Sequence, residues 1–214
     1  MIRTSGDNAI CISGRVQGDA MLDHELYGEA FYSLYLEVPR LSGAVDILPV
    51  TLPGRLCAQL PRAGESWCIH GQLRSYNKHT DTGSRLILTV FARHVEPVPP
   101  EAEPCNRVEL TGFLCKPVIY RTTPFLREIG DMLLAVNRSF NKSDYLPCIA
   151  WGRNAVLARE LAVGSRVRVE GRLQSREYQK CLLDGTIDQR VAYEVSCARV
   201  EPVRTGGTNE EEWP

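Results

Sequence analysis

Between Arg166 and Arg176 the chain alternates. Val167, Val169, Gly171 and Leu173 take every second place, and Arg166, Arg168, Glu170, Arg172, Gln174 and Arg176 take the places between and beyond them. Alternate residues of a strand face opposite sides, so the pattern predicts a strand with one apolar face turned to a core and a basic face outside. Val108–Leu114, Asp131–Asn137, Tyr145–Trp151 and Val191–Val200 are also apolar or alternating, with turn residues between them, and predict four further strands. One helix interrupts the series. Asn154 is placed to cap it, Val156, Leu157 and Leu161 mark an apolar side, and Gly164 suits its C-terminal stop. Strand–strand–strand–helix–strand–strand is the order of the OB fold, a small five-stranded Greek-key barrel.

The same pattern occurs twice. "DILPVTLPGRLCAQLPRAGESWCIHGQLRS" begins at Asp46, and "DYLPCIAWGRNAVLARELAVGSRVRVEGRLQS" begins at Asp144. Both run D-x-L-P, G-R, a short amphipathic piece, a glycine, an apolar alternation and G-x-L-x-S. The copies close alike, in "ARHVEPV" and "CARVEPV". So many ordered landmarks indicate a duplicated domain. Pro97, Pro99, Pro100 and Pro104 cluster at the join, where proline cannot continue a sheet ladder. The expected organisation is an all-β chain with short helices and two tandem OB folds. Residues 1–98 form a degenerate copy, 99–106 a Pro-rich linker, 107–203 a second copy and 204–214 a short acidic tail. In the first copy Pro61 cuts "GRLCAQLP" short at the place of the helix.

Charge distinguishes the copies. Residues 1–104 hold 9 Lys and Arg against 12 Asp and Glu, residues 105–203 hold 15 against 11, and the last eleven hold 1 against 3. A basic second half points to a polyanionic partner. In the first copy the register of the arginine strand gives Ser66, Cys68, His70, Gln72, Arg74 and Tyr76, so the basic row belongs to the second copy alone. Protection of a sheet edge would apply to both copies, which favours a binding role for the row. No apolar run has membrane-spanning length and the N-terminus lacks a signal-peptide block, so a cytoplasmic protein is expected, with no membrane contact. The 8 cysteines include no C-x-x-C pair, so neither a disulfide framework nor a metal site is predicted. The histidines have no triad spacing and no phosphate loop is present, so neither an enzyme nor a cofactor is expected.

Aromatic rings carry the chemistry. Phe140, Tyr145, Trp151 and Tyr178 stand among Arg138, Lys142, Arg153 and Arg176. At the matching places the first copy has Ser42, Ile47, Pro53 and Lys78. A core aromatic replaced by Ser or Lys would leave a cavity or bury a polar group, whereas a surface platform is lost without such a cost. Rings interleaved with cations suit single-stranded nucleic acid, whose exposed bases stack and whose phosphates attract Arg and Lys.

On "NRVELTGFL", "KPVIYRTTP", "LLAVNRSF", "YLPCIAWGRNAVLARELAVGSRVRVEGRLQSREY" and "YEVSCARVE", the second copy, about residues 106–203, resembles the bacterial single-stranded DNA-binding proteins. The resemblance implies base stacking at Phe140, Tyr145, Trp151 and Tyr178 and basic contacts at Arg153 and Arg176. Arg138, Arg166, Arg168 and Arg172 complete the expected DNA-binding set. The resemblance also implies protection of single strands in replication, recombination or repair at the nucleoid. Family members with two OB folds per chain form dimers, so a homodimer with four OB folds is expected. The family's acidic–hydrophobic tail tip recruits replication and repair proteins; Glu210, Glu211, Glu212, Trp213 and Pro214 are the counterpart here. The alternative reading is a primosome-like protein-interaction adaptor built on tandem OB folds, with secondary nucleic-acid contact.

Overall fold

The computed structural model describes residues 6–80, 83–181 and 185–203. Its first half holds β1 (Asn8–Leu26), β2 (Glu29–Pro39), β3 (Val45–Pro53), a 3-10 turn (Gly54–Leu56), β4 (Ser66–Thr80) and β5 (Gly83–Pro97). Its second half holds β6 (Asn106–Leu114), β7 (Ile119–Thr122), β8 (Glu128–Arg138), β9 (Lys142–Trp151), α1 (Arg153–Arg159), β10 (Arg166–Cys181) and β11 (Ile187–Pro202).

Both halves close by the same ladder pattern. β1 pairs with β2 and β4, β2 with β3, β4 with β5, and β3 runs parallel to β5. β6 pairs with β8 and β10, β8 with β9, β10 with β11, and β9 runs parallel to β11. The protein is therefore two tandem OB barrels. Inward residues fill each one: Ile12, Leu36, Leu48 and Leu73 in the first, Leu110, Leu134, Leu146 and Leu173 in the second, each at most 1% exposed. Closure needs a bulge at the same place in both copies, between His70 and Gly71 and between Glu170 and Gly171. A Cβ on Gly71 or Gly171 would lie 2.2 Å from the carbonyl oxygen of Phe91 or Ser196, so only glycine lets those strands meet.

Two local expectations are corrected. The buried face of α1 is Ala155 and Ala158, not Val156 and Leu157; Leu157 is 39% exposed. The helix lies close over β8, with Ala155 against Gly130, and small side chains permit that approach. Asn154 does not cap the helix. Its amide donates to Ala198 O and accepts from Val200 N–H, tying α1 to β11. In the first copy a single 3-10 turn stands where the second has its helix.

The barrels are joined edge to edge. β1 and β6 pair antiparallel, with Ile10 opposite Val108 and Ile12 opposite Asn106. This makes one sheet continuous through β5-β4-β1-β6-β10-β11. Aspartates fasten the copies a second time. Asp46 is fully buried; it accepts the Ser175 N–H at 2.7 Å and is paired with Arg40 and Arg172. Asp144, equally buried, accepts the Ser75 N–H at 2.9 Å and pairs with Arg74 at 2.9 Å and Arg138 at 3.6 Å. Each copy thus plugs its D-x-L-P aspartate into the G-x-L-x-S strand of the other. Among the described residues no helix is long and apolar enough to cross a membrane.

Candidate nucleic-acid interface

Strand periodicity divides β9. Asp144, Leu146, Cys148 and Ala150 are buried, while Tyr145 and Trp151 on the other face are 46% and 38% exposed. Pro147 lies half-buried between them and Ile149 is buried. The Trp151 indole N–H donates to Ser196 Oγ at 3.2 Å, which fixes one edge of the ring and leaves a face open. Tyr145 is set by the other copy, because its backbone N–H donates to Ser75 Oγ at 2.7 Å. Phe140 stands at the tip of the β8–β9 hairpin, 93% exposed, with φ at 64°. A bulky residue in that left-handed region is strained, and such residues concentrate at functional sites. Tyr178, on the long β10–β11 hairpin, is half-buried, with the Arg176 guanidinium 5.7 Å from its ring centroid. The four rings are thus spread along β9, its hairpin and β10, rather than gathered in one pocket.

The predicted arginines divide by position. Arg153 is exposed and has no ion pair among the described residues. Arg176 is 3.5 Å from Glu194. Arg138 and Arg172 are engaged by the buried aspartates Asp144 and Asp46 at the junction of the copies. Arg166 reaches Asp7, and Arg168 reaches Glu109 and Glu170, on the outer face of the shared sheet. The single basic row expected on β10 is therefore split into three neighbourhoods, because the strand bulges at Gly171 and then leaves β6 to reach toward the first barrel. Glu210, Glu211, Glu212, Trp213 and Pro214 lie outside the described residues.

The first copy supplies cations that the sequence pattern did not assign to this surface. Arg74 and Arg93 meet Arg138 around a recess of about 260 Å³, together with Asp7, Asn8, Gln72, Asn137 and Ser139. Arg74 and Arg138 are paired with Asp144, and Arg93 carries no such partner among the described residues. The guanidinium of Arg93 is held below its ordinary value by burial and by the neighbouring charges of Arg74 and Arg55. Crowded positive charge of this kind is relieved by an incoming anion. Arg74 and Arg93 also lie 5.9 and 5.6 Å from the ring centroid of Phe91. A second groove, of about 520 Å³, runs between β5 and the β10–β11 hairpin and presents Arg85, Tyr178, Lys180, Arg190 and Tyr193. Burial pushes the Tyr193 hydroxyl up to about 12, so it stays protonated and available as a donor. Exposed rings, flanking cations and grooves that follow strands form a surface suited to an extended polyanion with flat groups, not to a small enclosed ligand.

Residues 105–203 match the model of the Single-strand binding protein family. Over 81 residues the chain is 41% identical to Single-stranded DNA-binding protein 1 of Staphylococcus aureus (strain COL), covering 35% of this chain and 48% of that protein. It is 40% identical over 81 residues to Single-stranded DNA-binding protein A of Bacillus subtilis (strain 168), covering 35% and 47%. The chain spans about half the length of the curated relatives it matches. Over almost its whole length it is similar to the crystal structure of a deletion mutant of the single-stranded DNA binding protein from Thermus aquaticus. There the TM-score is 0.77 at 24% identity, covering 96% of this chain and 98% of that one, which is a likeness of fold. The second barrel, residues 105–203, is thus the part of the chain that matches the Single-strand binding protein family, and the first barrel repeats its architecture.

Proposed function

We propose that this protein binds single-stranded DNA without sequence preference and performs no catalysis. The observation that carries the reading is the outer face of β9, where Tyr145 and Trp151 stand exposed, Tyr145 held through its backbone N–H and Trp151 through its indole N–H. Bases stack on such rings at roughly 1–3 kcal/mol each, whatever their identity. Arg153, Arg176 and Lys180 from the second barrel, with Arg85 and Arg93 from the first, neutralise phosphates along the strand. Phe140 and Tyr178 extend the stacking track beyond β9. Duplex DNA hides its base faces, so single strands are preferred. The role that follows is to cover and organise single strands during replication, recombination or repair.

The same reading makes the working form a homodimer with four barrels, since closed two-fold assemblies are the commonest and two tracks on one particle raise avidity. The acidic end, Glu210–Pro214, is then the contact for replication or repair proteins. Titration with oligo-dT of graded length tests the function: tryptophan emission falls and affinity rises with length until the tracks are spanned. No saturable binding at low salt would defeat it.

A further inference from the structure

The outer face of the shared sheet carries a cluster that DNA binding does not use. Cys11 on β1 stands directly opposite His70 on β4, and Cys68 lies two residues before His70 on the same face. The Sγ atoms of Cys11 and Cys68 are 3.8 Å apart. His70 Nε2 is 3.6 Å from the Cys68 sulfur and 3.9 Å from that of Cys11. Cys105 arrives from the linker just before β6, its backbone held by Ser13, and its sulfur is 3.1 Å from that of Cys11. All four residues are half-buried.

The separations among Cys11, Cys68 and His70 are those of ligands around a tetrahedral ion. With metal–sulfur bonds of about 2.3 Å and metal–nitrogen bonds of about 2.0–2.1 Å, the edges of the tetrahedron are about 3.8 Å between sulfurs and about 3.5 Å between sulfur and nitrogen. Cys11, Cys68 and His70 meet both values within a few tenths of an ångström. Cys105 is nearer to Cys11 than an edge requires, and far beyond the roughly 2.05 Å of a disulfide bond. The ligand atoms of Cys11, Cys68 and His70 all lie within 4.8 Å of one another; Cys105 must turn from Cys11 toward the ion to supply a third thiolate as the fourth ligand. Soft thiolates with imidazole in tetrahedral array select zinc among the common divalent ions.

We infer that Cys11, Cys68, His70 and Cys105 form a structural zinc site. Each thiol loses a proton as it binds, and His70 binds neutral through Nε2. The ion would join β1 and β4 of the first barrel to the segment that enters the second, close to where the two sheets become one. It would thus hold the linker in register. This assignment is independent of the DNA-binding reading.

The test uses the full chain, grown with zinc and purified anaerobically under reduction. Elemental analysis should find about one zinc per chain. Cys11→Ser and Cys68→Ser should lose it, whereas substitution of the exposed Cys181 should not. Should the serine variants fail to fold, cobalt added to the chelator-stripped wild-type chain gives a second reading. Intense visible bands of a tetrahedral ion with a thiolate charge-transfer band are expected, with circular dichroism confirming the fold. Zinc-free protein that gives only the weak spectrum of hydrated cobalt overturns the site. So does metal retained by folded Cys11→Ser and Cys68→Ser, or a Cys11–Cys105 disulfide found by peptide mass spectrometry in the anaerobic preparation.

Discussion

Asp144 of the second barrel accepts a hydrogen bond from the backbone N–H of Ser75 in the first, at 2.9 Å, with its side chain wholly buried. Arg74 and Arg138 neutralise it from either copy, and Asp46 repeats the arrangement in the opposite direction with Ser175, Arg40 and Arg172. Removing one member of a buried ion pair strands the other charges and costs about 3–5 kcal/mol. Asp144→Ala should therefore lower Tm by roughly 6–20 °C, taking about 2–4 °C per kcal/mol for a chain of this size. Asp46→Ala should act similarly, in a calorimetric scan of the intact protein. An unchanged Tm for both would show that the aspartates do not hold the copies together.

Separation of the copies tests the same junction. A fragment of residues 105–214 would expose the β6 edge that pairs with β1 and leave Asp144 without Arg74 and Ser75. Unpaired sheet edges template aggregation. The fragment should be less stable than the whole chain and associate, as seen by size-exclusion chromatography; a stable monomer with the full chain's Tm would argue that the barrels are independent.

These contacts also show what the sequence could and could not convey. The strands of the second barrel were legible because β8, β9 and β10 alternate cleanly, and the duplication was legible because Asp46 and Asp144 head the same series of landmarks. That those aspartates bind the opposite copy was not legible, since a pattern within one strand is silent about which barrel the strand will touch. The same limit hid Arg74 and Arg93, whose charges reach the other copy's surface. It hid the cluster of Cys11, Cys68 and His70, with Cys105 beside Cys11, as well, because strand pairing and the returning linker rather than close spacing assemble it. At α1 the apolar pattern misled for Leu157, which is 39% exposed, whereas Leu161 just beyond the helix does pack against the core; the helix approaches Gly130 closely, and alanines allow it.

Arg93 offers a clean probe of the first copy's electrostatic share, as it forms no ion pair among the described residues. For single strands, log K falls with log salt at about −0.7 per neutralised phosphate. Arg93→Ala should reduce that slope by about 0.7, measured with oligo-dT across a salt series. A slope equal to that of the wild type would remove Arg93 from the track.

Assembly is open to direct measurement. Light scattering should give a mass near twice the 24.0 kDa chain, and long oligonucleotides should bind more tightly than short ones through effective concentration. A monomer at micromolar concentration, with and without oligo-dT, would contradict the dimer.

The most direct test of the central claim is Trp151. Its ring is 38% exposed on β9 and fixed through Ser196, so a base stacked on it should quench its emission. In the full chain, Trp151→Ala should weaken oligo-dT binding by roughly 1–3 kcal/mol, with circular dichroism unchanged, while Trp151→Phe keeps most of the affinity. A folded Trp151→Ala protein that binds oligo-dT as tightly as the wild type, with the same quenching from the remaining tryptophans, would contradict the claim that this strand face is the platform for DNA.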